Sequence, residues 1–112
     1  MTLESRFSDF LITVAAPMMK KISLELGGKN AALVFADANL DVAVKTLIQG
    51  AFKNQGEICL CTSRIYVQDS IYNTFLERYV NETRKLKIGD PNDPEVFMGA
   101  MNSKIHLEKV IG

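Results

Sequence analysis

Apolar and polar positions along this chain change period from block to block. Residues 8–16 are mostly apolar, and Pro17 limits a helix there, because the residue before a proline is pushed out of the helical region. Ile22, Leu24 and Leu26 alternate with Ser23 and Glu25, the period-two pattern of a strand, and Gly27-Gly28 ends it. Ala31 to Phe35 is a compact apolar run suited to a buried strand. Asp37 and Asn39 follow as turn or cap residues. From Leu40, the positions Val42, Ala43, Leu47, Ile48, Ala51 and Phe52 recur at helical spacing to about Lys53, and Asn54-Gln55-Gly56 ends the helix. Ile65 to Gln68 is a further strand. Asp69 or Ser70 can cap the helix whose face carries Ile71, Phe75, Tyr79, Val80 and Leu86, and which stops before Gly89. Asp90 to Glu95 is a loop with two prolines, and a last helix starts near Ser103 and includes Ile105, Leu107 and Val110.

The order strand, helix, strand, helix predicts an α/β protein with a small parallel sheet of two or three strands and flanking helices. A crossover should join the strands at 31–35 and 65–68. A sheet of this kind ordinarily carries helices on both faces and further strands at its edges. The chain shows no internal repeat and no low-complexity tract.

Its 112 residues suit one modest domain or part of a larger one. Thirteen basic residues balance thirteen acidic ones, so no net field favours nucleic acid or an anionic membrane, and neither is expected as a partner. The longest apolar stretch, Phe10 to Met19, is broken by Thr13 and Pro17 and falls short of the roughly 20 residues that a membrane span needs. Glu4 and Asp9 stand where a secretory leader would be basic, which points to a cytoplasmic protein. Cys59 and Cys61 sit two apart, a poor spacing for a disulfide. His106 is the only histidine and there is no second cysteine pair, so no metal site is expected. Free thiols accord with a reducing compartment.

Two segments carry candidate chemistry. Leu24-Glu25-Leu26-Gly27-Gly28-Lys29-Asn30, taken alone, reads as a strand terminus with an exposed glutamate. Phe52-Lys53-Asn54-Gln55-Gly56-Glu57-Ile58-Cys59-Leu60-Cys61-Thr62-Ser63-Arg64, taken alone, reads as two structural cysteines entering a strand, since a free cysteine usually behaves as a small core hydrophobe. Together they resemble the glutamate and cysteine signatures of the aldehyde dehydrogenase family. They stand in the family order, with Cys59 34 positions after Glu25. Asp37-Ala38-Asn39-Leu40-Asp41, Met98-Gly99-Ala100 and Ser103-Lys104 also resemble family segments, and the likeness runs from about Ile12 to Gly112. The cysteine segment looks most like the branch that acts on aminomuconic and hydroxymuconic semialdehydes.

The resemblance implies a role for each motif residue. Cys59 would be the nucleophile and Cys61 only its neighbour. A cysteine thiolate attacks an aldehyde carbonyl, the thiohemiacetal loses hydride to NAD or NADP, and water cleaves the thioester that remains. Glu25 would be the base for that water, and it can also help to deprotonate Cys59. The Cys59 backbone N–H would form half of an oxyanion hole. Leu26 and Gly27 would lie beside the nicotinamide. Lys29 and Arg64 read as structural residues, Lys29 through a salt bridge, and His106 reads as a solvated helix residue.

The same resemblance implies incompleteness. Residues 1–27 would be the tail of a cofactor-binding domain and residues 28–112 the N-terminal part of a catalytic domain. The family's Gly-rich pyrophosphate turn has no counterpart here, because no glycine precedes Gly27. The expected protein is an NAD(P)-dependent oxidoreductase of small-molecule aldehydes, usually a homo-oligomer, whose 112 residues alone are inactive. Two alternatives stay open: a non-catalytic remnant that binds full-length subunits, and thioesterase-like action by Cys59 and Glu25 on an activated ester.

Overall fold

The computed structural model describes residues 3–112. Two strands, β1 (Asn30–Val34) and β2 (Thr62–Val67), pair in parallel. Asn30 stands opposite Thr62, Ala31 opposite Arg64 and Val34 opposite Val67, with an irregularity between Asn30 and Ala31. Parallel strands need a long connection, and helix α2 (Leu40–Phe52) provides it. Asn39 caps α2 by accepting hydrogen bonds from the N–H groups of Asp41 (3.1 Å) and Val42 (3.2 Å). Asp41 places a negative charge in the first turn, where the helix dipole favours it. Helix α3 (Tyr72–Thr83) follows β2 through a 3-10 turn at Asp69–Ile71. That turn takes the place of the expected Asp69 or Ser70 cap, and neither residue makes a side-chain cap bond.

The core is small. Val34, Val44, Ile48 and Phe75 are buried, and Ile65, Val67, Phe52, Tyr79 and Leu86 pack around them. Phe75 and Tyr79 stack with ring centroids 5.5 Å apart, and burial pushes the Tyr79 phenol above its usual pKa. Arg78 bonds Asp41 at 2.9 Å between α3 and α2, but both groups are well exposed, so the pair adds little.

Four elements differ from the sequence expectation, the first being α3, which ends at Thr83, short of Leu86. Ile22–Leu26 is not a strand, although its pattern alternates. A strand exists only through a neighbour's hydrogen bonds, and among the described residues β1 and β2 pair only with each other. Strand β2 begins at Thr62, three residues before Ile65, because pairing with Asn30 extends it. Helix α1 spans Leu3–Ala15, longer than residues 8–16, and passes into a 3-10 turn at Ala16–Met18 that holds Pro17.

The core also lies on one face of the sheet. Ala32, Val34, Ile65 and Val67 turn inward, whereas Leu33 is 66% exposed and Phe35 60%, with Tyr66 exposed beside them. The radius of gyration is 18.5 Å, against about 13 Å for a compact chain of this length. The accessible surface is 9053 Å², against about 6200 Å² for a compact monomer of this mass. Helices on both faces were expected; among the described residues only one face is covered.

With so few buried groups, each carries a large share of the stability. Phe75→Ala should destabilise the 112-residue chain by about 3–5 kcal/mol. That approaches the whole stability of a typical domain. Urea unfolding followed by circular dichroism should show a broad, non-cooperative loss of helix. A cooperative transition shifted by less than about 1 kcal/mol would mean that the core lies elsewhere.

Candidate active site

In a parallel pair the chain enters both strands from the same end of the sheet. The segments leading into β1 and β2 therefore emerge side by side. Together with Met101–Ser103 and helix α4 (Lys104–Ile111) they border an open cleft of about 870 Å³. Glu25, Leu26, Gly27, Gly28 and Lys29 line one wall, and Gln55 to Cys59 line another. All four residues singled out from the sequence, Glu25, Leu26, Gly27 and Cys59, face this one space. A second hollow of about 620 Å³ between α2 and α3 is lined by Asp41, Lys45, Arg78 and Glu82 among others and holds none of them.

The cysteine segment is a tight turn. Cys61 N–H donates to Ile58 O at 2.9 Å. An extended segment would set both cysteines on one face; the turn separates them, leaving Cys59 exposed and Cys61 buried. The Cys61 thiol lies 3.9 Å from Lys53 O. The Cys59 backbone N–H has no hydrogen-bond partner among the described residues.

Left-handed backbone leads into the turn. Asn54 (φ 52°), Gln55 (φ 57°) and Gly56 (φ 77°) follow one another. Asparagine tolerates this region, and a Cβ on Gly56 would stand 3.0 Å from Ala51 O, so glycine fits there. Gln55 carries a strain of roughly 1–2 kcal/mol. Its own side chain offsets part of that strain, because Nε2 donates to Gly99 O and Ala100 O, both at 3.3 Å.

Two further contacts tie the turn down. Asn30 Nδ2 donates to Cys59 O at 2.7 Å and to Cys61 O at 3.4 Å. His106 Nε2 on α4 stands 3.3 Å from Glu57 Oε1. His106 is an exposed residue of α4, as expected, and it also lines the cleft as a partner of the cysteine turn. Lys29 differs from expectation: it makes no ion pair among the described residues, and its carbonyl accepts from Arg64 Nε at 3.1 Å. Arg64 also places its guanidinium 3.2 Å from the Tyr66 hydroxyl and 5.7 Å from the ring centroid.

Asn30, Gln55 and Glu57, although they stand in the two motif segments, were given no role, and His106 was not placed at the cleft. Asn-Gln-Gly after a helix is a signal for left-handed backbone, and it could have marked Gln55. The contacts of Asn30 and His106 reach across 29 and 49 positions and leave no local trace.

Among the described residues no helix is long and apolar enough to cross a membrane. The pattern of the Aldehyde dehydrogenase family matches residues 5–112, beginning earlier than Ile12. The chain is 61% identical over 103 residues to the 2-aminomuconic semialdehyde dehydrogenase of Homo sapiens, covering 92% of this chain and 21% of that protein. It is 42% identical over 109 residues to the 2-hydroxymuconic semialdehyde dehydrogenase of Pseudomonas putida, covering 97% of this chain and 22% of that protein. The crystal structure of an aldehyde dehydrogenase from Brucella melitensis biovar abortus 2308 superposes with a TM-score of 0.87 at 38% identity, over 95% of this chain and 22% of that one. The chain thus spans only 21–22% of the length of these relatives. Its sequence over nearly the full length and its fold both agree with theirs: the chain belongs to the aldehyde dehydrogenase family.

Proposed function

We propose that these residues form the reacting half of an NAD(P)-dependent enzyme that oxidises an aldehyde to a carboxylic acid. One observation carries this reading. Glu25, Leu26 and Gly27 share a cleft with Cys59, although 34 positions separate Glu25 from Cys59. In this reading residues 1–27 are the tail of the cofactor-binding domain and residues 28–112 the start of the catalytic domain, with the cleft at their junction. A homo-oligomer and a cytoplasmic location belong to the same reading.

The Cys59 thiolate attacks the carbonyl carbon, and the carbonyl π electrons move to oxygen. The unspent Cys59 N–H is a donor for that oxyanion. A nicotinamide dinucleotide, when bound, supplies the acceptor for the hydride that leaves the same carbon. Leu26, which is apolar and exposed, and Gly27, which has no side chain, line the cleft where a nicotinamide ring would lie in this reading. Glu25, exposed to the cleft, takes a proton from water, and the hydroxide attacks the thioester. The C–S bond then breaks and returns the thiolate. No Gly-rich turn lines the cleft among the described residues, so in this reading the 112 residues alone hold the dinucleotide poorly and are inactive. For the aldehyde, similarity to the two muconic semialdehyde dehydrogenases supports a semialdehyde of that class.

A second reading, a non-catalytic piece that docks on full-length subunits, is favoured by the bare sheet face at Leu33, Phe35 and Tyr66.

Limited iodoacetamide labelling with peptide mass spectrometry should modify Cys59 well before Cys61. Equal labelling, or preference for Cys61, would remove Cys59 from this role. In a full-length enzyme carrying this sequence, Glu25→Gln should slow thioester hydrolysis by about 10²-fold or more while sparing hydride transfer. Stopped-flow absorbance should record a burst of NADH and then slow turnover. An unchanged steady-state rate would show that Glu25 takes no part.

A further inference from the structure

Asn30 holds a position that neither the motifs nor the reaction assigns. It is the first residue of β1, where the strand pairing is irregular, and its side chain reaches back over the cysteine turn. We propose that Asn30 is a positioning residue for the nucleophile: its carboxamide fixes the Cys59 main chain, and so aims the Cys59 thiol and N–H together at the cleft. This rests on Cys59 being the nucleophile.

The geometry is specific. Nδ2 spans the turn, donating to Cys59 O at 2.7 Å and to Cys61 O at 3.4 Å. A primary carboxamide has two N–H bonds, and both are used on these carbonyls, so Asn30 is not itself a donor to an oxyanion. Holding the peptide that follows Cys59 limits rotation about the Cys59 backbone, which carries both the thiol and the free N–H. Gly28 makes the contact accessible. A Cβ there would stand 3.3 Å from Cys59 O and 3.4 Å from Asn30 Nδ2, so a side chain would crowd Cys59 O by a few tenths of an ångström. Of the other side chains of similar size, aspartate would set acceptors against two carbonyl oxygens, and serine has one donor where two are used. His106 and Gln55 hold the turn at Glu57 and at its entry; among the described side chains it is Asn30 that bonds Cys59 itself.

The test compares two reactions of one thiol. Acylation by p-nitrophenyl acetate passes through an oxyanion: the thiolate adds to the ester carbonyl, a C–S bond forms and p-nitrophenolate leaves. Alkylation by iodoacetamide displaces iodide and develops no oxyanion. Both rates are measured at Cys59 in the 112-residue chain, with Cys61 as internal control. Asn30→Asp should slow acylation about tenfold while changing alkylation of the same thiol less than about twofold. Asn30→Ser, which keeps one donor, should fall between Asn30→Asp and the parent. A side chain that merely stabilised the fold would instead raise labelling of buried Cys61 and move both Cys59 rates together. Parallel changes in the two rates, or none, would overturn the proposal while leaving Cys59 as nucleophile. Acylation of the parent chain at Cys61, or at neither cysteine, would remove the reading of Cys59 and this inference with it.

Discussion

The parallel pairing of β1 with β2 is the constraint on which the site depends. Glu25 precedes β1 and Cys59 precedes β2, and parallel strands bring both lead-in segments to one end of the sheet. An antiparallel pair would separate them by the length of a strand, about 16 Å for five residues at 3.3 Å each. Parallel pairing in turn requires a crossover, and α2 packs its Val44 and Ile48 against the strand residue Val34 to supply it. The core therefore contributes nothing to the chemistry directly. It sets the register from which the irregular segments project.

Those irregular segments are held by polar contacts, not by burial. Three consecutive left-handed residues, Asn54 to Gly56, bend the chain out of α2 and into the cysteine turn. Such backbone persists where the surroundings over-determine it. Here Gln55 bonds two carbonyls near residue 100, His106 meets Glu57, and Asn30 bonds the two cysteine carbonyls. The result is a turn with one thiol outside and one inside. The opposite sheet face, with Leu33 and Phe35, has no such partners among the described residues.

Much of this was legible in the sequence. The apolar run from Ala31, the helical spacing after Leu40 and the face through Phe75 and Tyr79 each give the element expected, because each buries its apolar side in the one core. The two motifs were legible too, since each is a run of particular residues at short spacing, and the family pattern covers both. The Ile22–Leu26 pattern misled because alternation records a two-faced environment, not a hydrogen-bonded neighbour. The contacts that complete the cleft were not legible. Asn30 to Cys59 and Glu57 to His106 depend on how distant segments meet, and a polar residue looks the same in sequence whether it faces water or a carbonyl.

The claim that the sheet sets the two motifs side by side is open to direct measurement. Nuclear Overhauser spectra of the isotopically labelled 112-residue chain should contain cross-strand contacts between the backbones of Ala32 and Ile65. They should also contain contacts from Gly28 and the Asn30 carboxamide protons to the residues around the Cys59 carbonyl. These contacts together would support the account. Cross-strand contacts without any between Gly28 or Asn30 and the cysteine turn would contradict it, as would an antiparallel pattern between residues 30–34 and 62–67.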